Sequence, residues 1–152
     1  MGSIKVVHID LTELTIEGYF VPKARPRFSG THAYLPKNYR DSKAELIRQF
    51  TPQWKFPPCE TCEVLVYLHG YLSGDADNLI GSLLDAMKEA GVIVDDTIKH
   101  VPLIICQHVL DTWTGAKVFI NPVKFQVSND SAIASKKKIP KNTLVLEEDL
   151  PL

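Results

Sequence analysis

The stretch EVLVYLHGYLSGDADNLIGSLLDAMKEAGVIVDD, residues 63–96, decides how the middle of this chain folds. Its first part is rich in β-branched and aromatic side chains, which predicts a strand over 63–72. From 77 to 90 the apolar side chains fall on one half of a helical wheel, and the polar ones fall with Gly81 on the other half. Gly91 follows at the position of a left-handed C-terminal cap. The stretch therefore predicts a strand that leads into an amphipathic helix.

Shorter patterns flank this stretch on both sides. Residues 28–40 contain Gly, Pro and Asn, which predicts an ordered loop. A short helix follows this loop, with Asp41 or Ser42 as its N-terminal cap. The remaining predicted elements are this helix and three strands, of which the last two form a hairpin through TWTG: helix 42–50 and strands 13–21, 101–111 and 116–122.

The totals for the whole chain are those of an ordinary globular protein. The 152 residues are 45% hydrophobic and 23% charged, and we expect one domain over 1–127 followed by a polar, flexible tail over 128–152. No apolar run approaches the ~20 residues of a membrane span, and the N-terminus lacks the pattern of a secretory signal. We therefore expect a cytoplasmic protein with no membrane partner.

The cysteines do not predict a disulfide scaffold, because their number, three, is odd. Cys59 and Cys62 form a CETC pair, which is half of a zinc motif. No second CxxC or HxxxH follows to complete that motif. The favoured interpretation is a pair of reduced thiols at the start of a strand.

Basic residues are concentrated in one part of the chain, although the formal net charge is only −1. Between residues 21 and 55 there are eight basic residues against two acidic ones, Asp41 and Glu45. Such a local excess holds a polyanion even when the whole chain is near neutral. The eight residues are Lys23, Arg25, Arg27, Lys37, Arg40, Lys43, Arg48 and Lys55.

Four aspartates bracket the predicted helix. Asp75 and Asp77 lie at its N-terminal end, where the helix dipole and the unpaired N–H groups favour carboxylates. One of them is explained as an N-cap, but one cap does not need two aspartates. An extended chain running back along the helix would bring Asp95 or Asp96 close to Asp77. Only one side chain of that pair would point inward, because alternate residues of a strand face opposite sides.

Clustered carboxylates repel one another unless a cation shares them. Oxygen ligands with open positions suit Mg²⁺ or Mn²⁺, and such a metal stabilises the charge of a phosphodiester transition state. An EF-hand is excluded because Leu79 and Ile80 stand where its loop needs Asp or Asn and then Gly. A solvated helix end remains the alternative, and the basic residues upstream favour the metal because they would hold a polyanion nearby.

This pattern resembles the RusA-type Holliday junction resolvases, metal-dependent endonucleases that cut four-way DNA junctions. Their signature is D-x-D-N-x-x-K, a helix with a further Asp, then A-G-V/F and a D-D pair. In this chain it reads D75-A-D77-N78-L-I-G81, Asp85, A90-G91-V92 and D95-D96. The segments PKARPR at 22–27 and YLPKNYR at 34–40 resemble the basic N-terminal region of the family, and the resemblance spans roughly residues 18–122.

The resemblance implies an α+β fold, with a small mixed β-sheet and a helix packed on one face, that acts as a homodimer on four-way junction DNA. Asp75, Asp77 and Asp96 would bind Mg²⁺, with Mn²⁺ as a substitute, and carry out hydrolysis. Asp95 would be a neighbour without an assigned role. The residues expected to contact DNA are Lys23, Arg25, Arg27, Lys37 and Arg40, which fits their charge independently.

Gly81 departs from the family pattern, because it stands where the family has its functional lysine. Position 81 lies one turn after Asp77 on the same face of the helix. Lys23, Lys99 or a second metal would supply the missing charge in one interpretation. In the others, the protein binds junctions but cuts them slowly, or the glycine lets DNA backbone approach the helix closely.

Two functions therefore compete, and a third is kept. The first is a Mg²⁺-dependent, structure-selective DNA endonuclease that resolves four-way junctions. The second is a junction-binding protein that is catalytically weakened or inactive because Gly81 replaces the lysine. The third is a cation-regulated interaction domain with no DNA role. Metal-dependent cutting separates the first two, and salt-dependent junction binding separates both from the third.

Overall fold

The computed structural model describes residues 11–123. Nearly all of them belong to one compact unit, Asp10–Pro122. The predicted tail, 128–152, lies outside the described residues. The elements are strands β1 (Thr12–Glu17), β2 (Arg27–Ser29), β3 (His32–Tyr34), β4 (Cys62–His69), β5 (Leu103–Val109) and β6 (Gly115–Pro122), helices α1 (Lys37–Phe50) and α2 (Ala76–Glu89), and a short 3-10 helix at Thr51–Gln53.

A four-stranded mixed sheet in the order β1-β6-β4-β5 forms one layer of the fold. β4 pairs antiparallel with β6 and parallel with β5, and β6 pairs antiparallel with β1. Burial alternates strictly along β4, so only one face of this strand points into the core. Apolar side chains of α1 and α2 join the same core. The expected α+β class with a small mixed sheet is therefore confirmed, with two helices on the buried face.

Helix α2 matches its sequence prediction closely. Its buried side chains include Leu79, Leu83 and Met87, which repeat at helical spacing. Gly91 has φ +79° and ends the helix, as predicted. The N–H groups of Gly91 and Val92 bond to the carbonyls of Lys88 and Met87, which closes the last turn. Within residues 11–123 no helix is both long and apolar enough to cross a membrane.

The loop predicted over 28–40 is wrong. β2 and β3 form a separate hairpin whose turn contains Gly30 at φ +62°. α1 then begins at Lys37, earlier than predicted, because Tyr39 belongs to the same buried face as Leu46 and Phe50. The cap prediction also fails, since the hydroxyl of Ser42 accepts the N–H of Val21 instead (3.1 Å).

The hairpin predicted between the last two strands is also wrong, because β4 lies between β5 and β6. The connection between β5 and β6 crosses the end of β4 at Gly70. A side chain there would collide with this connection, since a Cβ on Gly70 would lie 2.4 Å from the carbonyl oxygen of Trp113. Gly70 also has φ +74°, which favours glycine. β4 thus has a paired strand on each side.

Candidate functional site

Asp75 and Asp77 lie at the start of α2, where the sequence placed them. Asp75 occupies the N-cap position, yet its side chain makes no capping hydrogen bond. The carboxylate of Asp77 accepts the N–H of Asn78 (3.0 Å). Both residues are exposed, and neither forms an ion pair with a residue in 11–123. Capping therefore does not account for the Asp75 carboxylate, which is open to an external cation.

The first residues of the basic segment, which we define as residues 22–40, pack against this same end of α2. The N–H of Lys23 donates to the carbonyl of Asn78 (2.8 Å). The hydroxyl of Ser82, which is buried, donates to the carbonyl of Val21 (2.7 Å). Pro22 packs so closely on Gly74 that a Cβ there would lie 2.3 Å from its Cγ. These contacts hold the basic segment against the acidic start of the helix.

The side chain of Lys23 lies over Gly81. A Cβ built on Gly81 would meet the Cδ of Lys23 at 3.2 Å and its Cβ at 3.4 Å. The ammonium group ends 3.5 Å from the carboxylate of Asp85, one turn further along α2. A lysine thus covers position 81 from outside the helix, and the space that glycine leaves open is filled by this lysine's aliphatic stem.

Asp85 is the centre of a charged network between the two helices. It accepts a hydrogen bond from the hydroxyl of Tyr39 (2.6 Å) and lies 3.4 Å from the ammonium of Lys43. Lys43 also pairs with Glu89 (2.6 Å). Burial works to raise the pKa of Asp85, but the bond from Tyr39 and the charges of Lys23 and Lys43 outweigh it and lower that pKa. Asp85 is therefore an ionised structural group.

Asp96 contacts Lys88, which belongs to the last turn of α2. The backbone groups of Val92 and Val94 bond to Cys59 just before β4, which fixes the chain after Gly91. The carboxylate of Asp96 lies 3.8 Å from the ammonium of Lys88, a residue whose Cα is about 16 Å along the helix axis from that of Asp77. The chain folds this way because Val92 and Ile93 are fully buried beside Cys59.

The structure therefore brings Asp75 and Asp77 together at the start of α2 but does not bring Asp96 to them within one chain. Asp95 stays beside Asp96, where Lys88 also contacts it (3.6 Å). The backbone N–H of Asp96 and the ammonium of Lys88 lower the pKa of Asp95. Within residues 11–123 no group of three or more His, Cys, Asp or Glu side chains is arranged to hold a metal ion.

The other basic residues expected at DNA are exposed. Lys37 pairs with Asp41 (3.0 Å) on the surface of α1. Arg25, Arg27 and Arg40 form no ion pair with any side chain of the described part of the chain. Their guanidinium groups are thus available to an anionic partner, as the sequence predicted from charge alone.

The CETC pair lies at the start of β4 as predicted. Cys59 and Cys62 are free and buried, and the thiol of Cys59 donates to the carbonyl of Thr61 (3.2 Å). Burial raises the pKa of Cys62 to about 12 and also raises the pKa of Cys59. Both thiols are therefore protonated at neutral pH, which matches their interpretation as core groups.

The contact between Lys23 and Gly81 predicts coupled effects on stability. Gly81→Ala removes the roughly 1 kcal/mol penalty of glycine in a helix, but the new methyl group displaces the Lys23 stem. We expect Gly81→Ala to raise the free energy of unfolding by about 0.5 kcal/mol less in the wild-type chain than in a Lys23→Ala chain. Urea unfolding of the four proteins measures this difference.

Arg25→Ala is the matched control for this cycle, because it removes a nearby exposed cation without a described contact to α2. The effect of Gly81→Ala should be the same in the Arg25→Ala chain as in the wild type. Equal effects of Gly81→Ala with and without Lys23 would show that the two side chains do not compete for the same space.

Sequence reasoning missed the roles of Tyr39 and Lys43 at Asp85, because those contacts join two helices and leave no local pattern. The exposed hairpin of β2 and β3 was also missed.

In comparisons with known proteins, no protein-family model and no curated protein sequence matches this chain.

Proposed function

We propose that this protein is a Mg²⁺-dependent, structure-selective endonuclease of the RusA type that resolves four-way DNA junctions. The observation that carries the proposal is the attachment of the basic segment to the acidic start of α2 through Lys23, Asn78 and Ser82. Hydrolysis of a phosphodiester needs a cation site and a means of holding the polyanion beside it. The acidic start of α2 and the basic segment packed against it are our candidates for these two parts.

Asp75 and Asp77 are the residues that would hold the metal. Mg²⁺ is usually bound through one or two carboxylates together with water and substrate phosphate, so a complete cage of protein ligands is not required. When bound, the metal supplies an activated water and offsets the charge that develops on the phosphodiester. The two side chains are exposed at a helix N-terminus and have no described ion-pair partner, which fits this role.

The basic segment would hold the DNA backbone. Residues 22–40 contain five basic side chains and no acidic one. Arg25, Arg27, Lys37 and Arg40 would contact phosphates, which fixes the position of the duplex without reading its sequence. Lys23 would set how close the strand comes to Asp77, since its backbone is bonded to Asn78.

The catalytically weakened junction-binding protein is the second candidate function. Two observations favour it: the ammonium of Lys23 is directed to Asp85 (3.5 Å), and Asp96 is paired with Lys88 (3.8 Å). In this case the basic segment holds the junction but no cation reaches the scissile phosphate. A gain of cutting from near zero in Gly81→Lys would favour this second function.

The proposal includes a homodimer, and β5 offers a surface for it. β5 is an edge strand with the sequence LIICQHV, which carries no Lys, Arg, Asp or Glu to block pairing. Among residues 11–123, β4 is its only paired neighbour. An antiparallel β5–β5 pair that uses the whole strand has its two-fold axis at Cys106, which is exposed.

Pairing of β5 predicts a specific cross-link. Directly opposed residues of antiparallel strands have Cα atoms about 4.5–5.5 Å apart, within the range of a disulfide. Mild oxidation with a low-molecular-weight disulfide should therefore convert most of the protein to a covalent dimer. Cys106→Ser should abolish the cross-link and keep the dimeric mass in solution. A monomeric mass for the wild-type protein would refute the homodimer.

The experiment that tests the proposed function is cleavage of a synthetic four-way junction with and without Mn²⁺ or Mg²⁺. We expect cutting only with metal, and preferential binding to the junction over a linear duplex of the same length. Binding should weaken steeply with salt, because phosphate contacts release counterions. A junction that is bound but never cut under any metal condition would support the junction-binding protein instead.

A further inference from the structure

The hairpin of β2 and β3 is an exposed element with an unusual combination of side chains. All residues from 25 to 34 are exposed, and the two strands pair only with each other among the described strands. Phe28 is 72% exposed near the tip. A short two-stranded hairpin is marginally stable in water. Because the ring of Phe28 is exposed, its burial does not stabilise this hairpin.

Phe28 lies across the hairpin from a residue that lines a concave surface. It pairs directly with Ala33, and directly paired residues of antiparallel strands lie on the same face. Ala33 in turn lines a cavity of about 460 Å³, together with Pro26, Tyr34, Leu35 and Arg40. Arg40 is the one charged residue of this lining, and the others are apolar or aromatic. A flat, planar group with an anionic attachment matches this combination of walls and charge.

The charge around the hairpin narrows the class of partner. Arg25 and Arg27 precede Phe28 in the sequence, and Arg40 lines the cavity. No acidic residue occurs from 22 to 40. Cations beside an exposed aromatic ring are the arrangement that binds unstacked nucleobases, because phosphates meet the cations while the base stacks on the ring. A membrane surface would require several large apolar side chains on this hairpin, which exposes two large aromatic ones, Phe28 and Tyr34, among basic residues.

We propose that Phe28 is a wedge that stacks on a nucleobase at the branch point of a DNA junction, with the cavity beside Ala33 receiving the displaced base. The inference rests on the proposed function for its substrate. Unstacking a base inside a duplex is costly, whereas base stacks are already interrupted at a branch point. Phe28 thereby contributes preference for a junction over a linear duplex, and the arginines contribute affinity for both.

The test uses a four-way junction that carries 5-iodouracil at the branch point, a base that cross-links under light to an aromatic ring stacked on it. The wild-type protein should cross-link at Phe28, as read by mass spectrometry of the attached peptide. Phe28→Ala should lose at least about tenfold in cross-link yield and in preference for junction over duplex. Phe28→Tyr should retain both.

Phe56→Ala is the matched control, because Phe56 is also an exposed phenylalanine (60%) but lies outside residues 22–40. It should leave yield and preference unchanged. Thermal unfolding of Phe28→Ala should match the wild type, since the ring is not in the core.

Three results would overturn the wedge. They are an unchanged junction preference in Phe28→Ala, a cross-link that maps elsewhere than the hairpin, and binding of anionic phospholipid vesicles in place of the junction. A protein that cross-links at Phe28 but never cuts would support the wedge while the proposed nuclease fails. A protein that cuts junctions without using Phe28 would support the nuclease alone.

Discussion

Asp77→Asn is expected to lower the rate of junction cutting by about a thousandfold or more, while junction affinity stays within about threefold of the wild type. The amide keeps the shape of the side chain and its bond to the N–H of Asn78 (3.0 Å). It removes the negative charge that a divalent cation requires. Single-turnover cleavage with Mn²⁺, beside a gel-shift measurement of binding, separates the two effects.

Metal binding itself gives a readout that does not depend on cutting. Titration of Mn²⁺ by calorimetry should show weaker binding in Asp77→Asn and Asp75→Asn than in the wild type. Asp111→Asn is the control. Asp111 is an exposed aspartate on the connection between β5 and β6, and its carboxylate bonds to His69 of β4 (2.9 Å). Normal cutting by Asp77→Asn would remove this carboxylate from the mechanism.

Asp96→Asn tests whether Asp96 binds the metal, as the resemblance implies, although the structure of one chain pairs it with Lys88. The resemblance assigns Asp96 to the metal, whereas the fold pairs it with Lys88 and forms no metal-binding group from the three aspartates within residues 11–123. Loss of both Mn²⁺ binding and cutting in Asp96→Asn would show that a second chain or a rearrangement completes the site. Loss of cutting with unchanged Mn²⁺ binding would place its role outside the metal.

The parts of the fold that the sequence predicted correctly are those with a local repeat. The apolar positions of α2 and the cap at Gly91 follow from spacing within one helix. The order of β5 and β6 depends on which strand lies between them, which no local pattern reports. A turn at TWTG is compatible both with a hairpin and with a connection that crosses over β4.

The candidate site shows the same division. Asp75 and Asp77 are two residues apart in sequence and remain together in the fold. The position of Asp96 depends on how Val92 and Ile93 are buried beside Cys59, which is a contact between distant segments. The Lys23 stem over Gly81 is also a long-range contact, and a glycine in a helix gives no sign of which side chain will cover it.

Asp85→Ala is expected to lower the free energy of unfolding by about 2–3 kcal/mol at pH 7. The side chain is only 14% exposed and holds together Tyr39, Lys43 and Lys23. Its removal leaves the ammonium of Lys43, itself 16% exposed, without one of its two carboxylates. Urea unfolding measures the loss. Asp41→Ala, which breaks the exposed pair with Lys37, should change stability by less than about 0.5 kcal/mol.

The pH dependence of that loss has a definite sign. The pKa of Asp85 is lower in the folded protein than its ordinary value, so the folded state binds fewer protons than the unfolded state near that pH. The stabilisation by Asp85 is therefore fully present above about pH 4 and disappears as the pH falls through the lowered folded pKa. The difference between wild type and Asp85→Ala should shrink over this acid range. A constant difference down to the lowest pH at which both proteins fold would show that packing, and not the ionised carboxylate, is the source of the stability. Tyr39→Phe combined with Asp85→Ala should cost less than the two single changes added together, because both remove the same hydrogen bond.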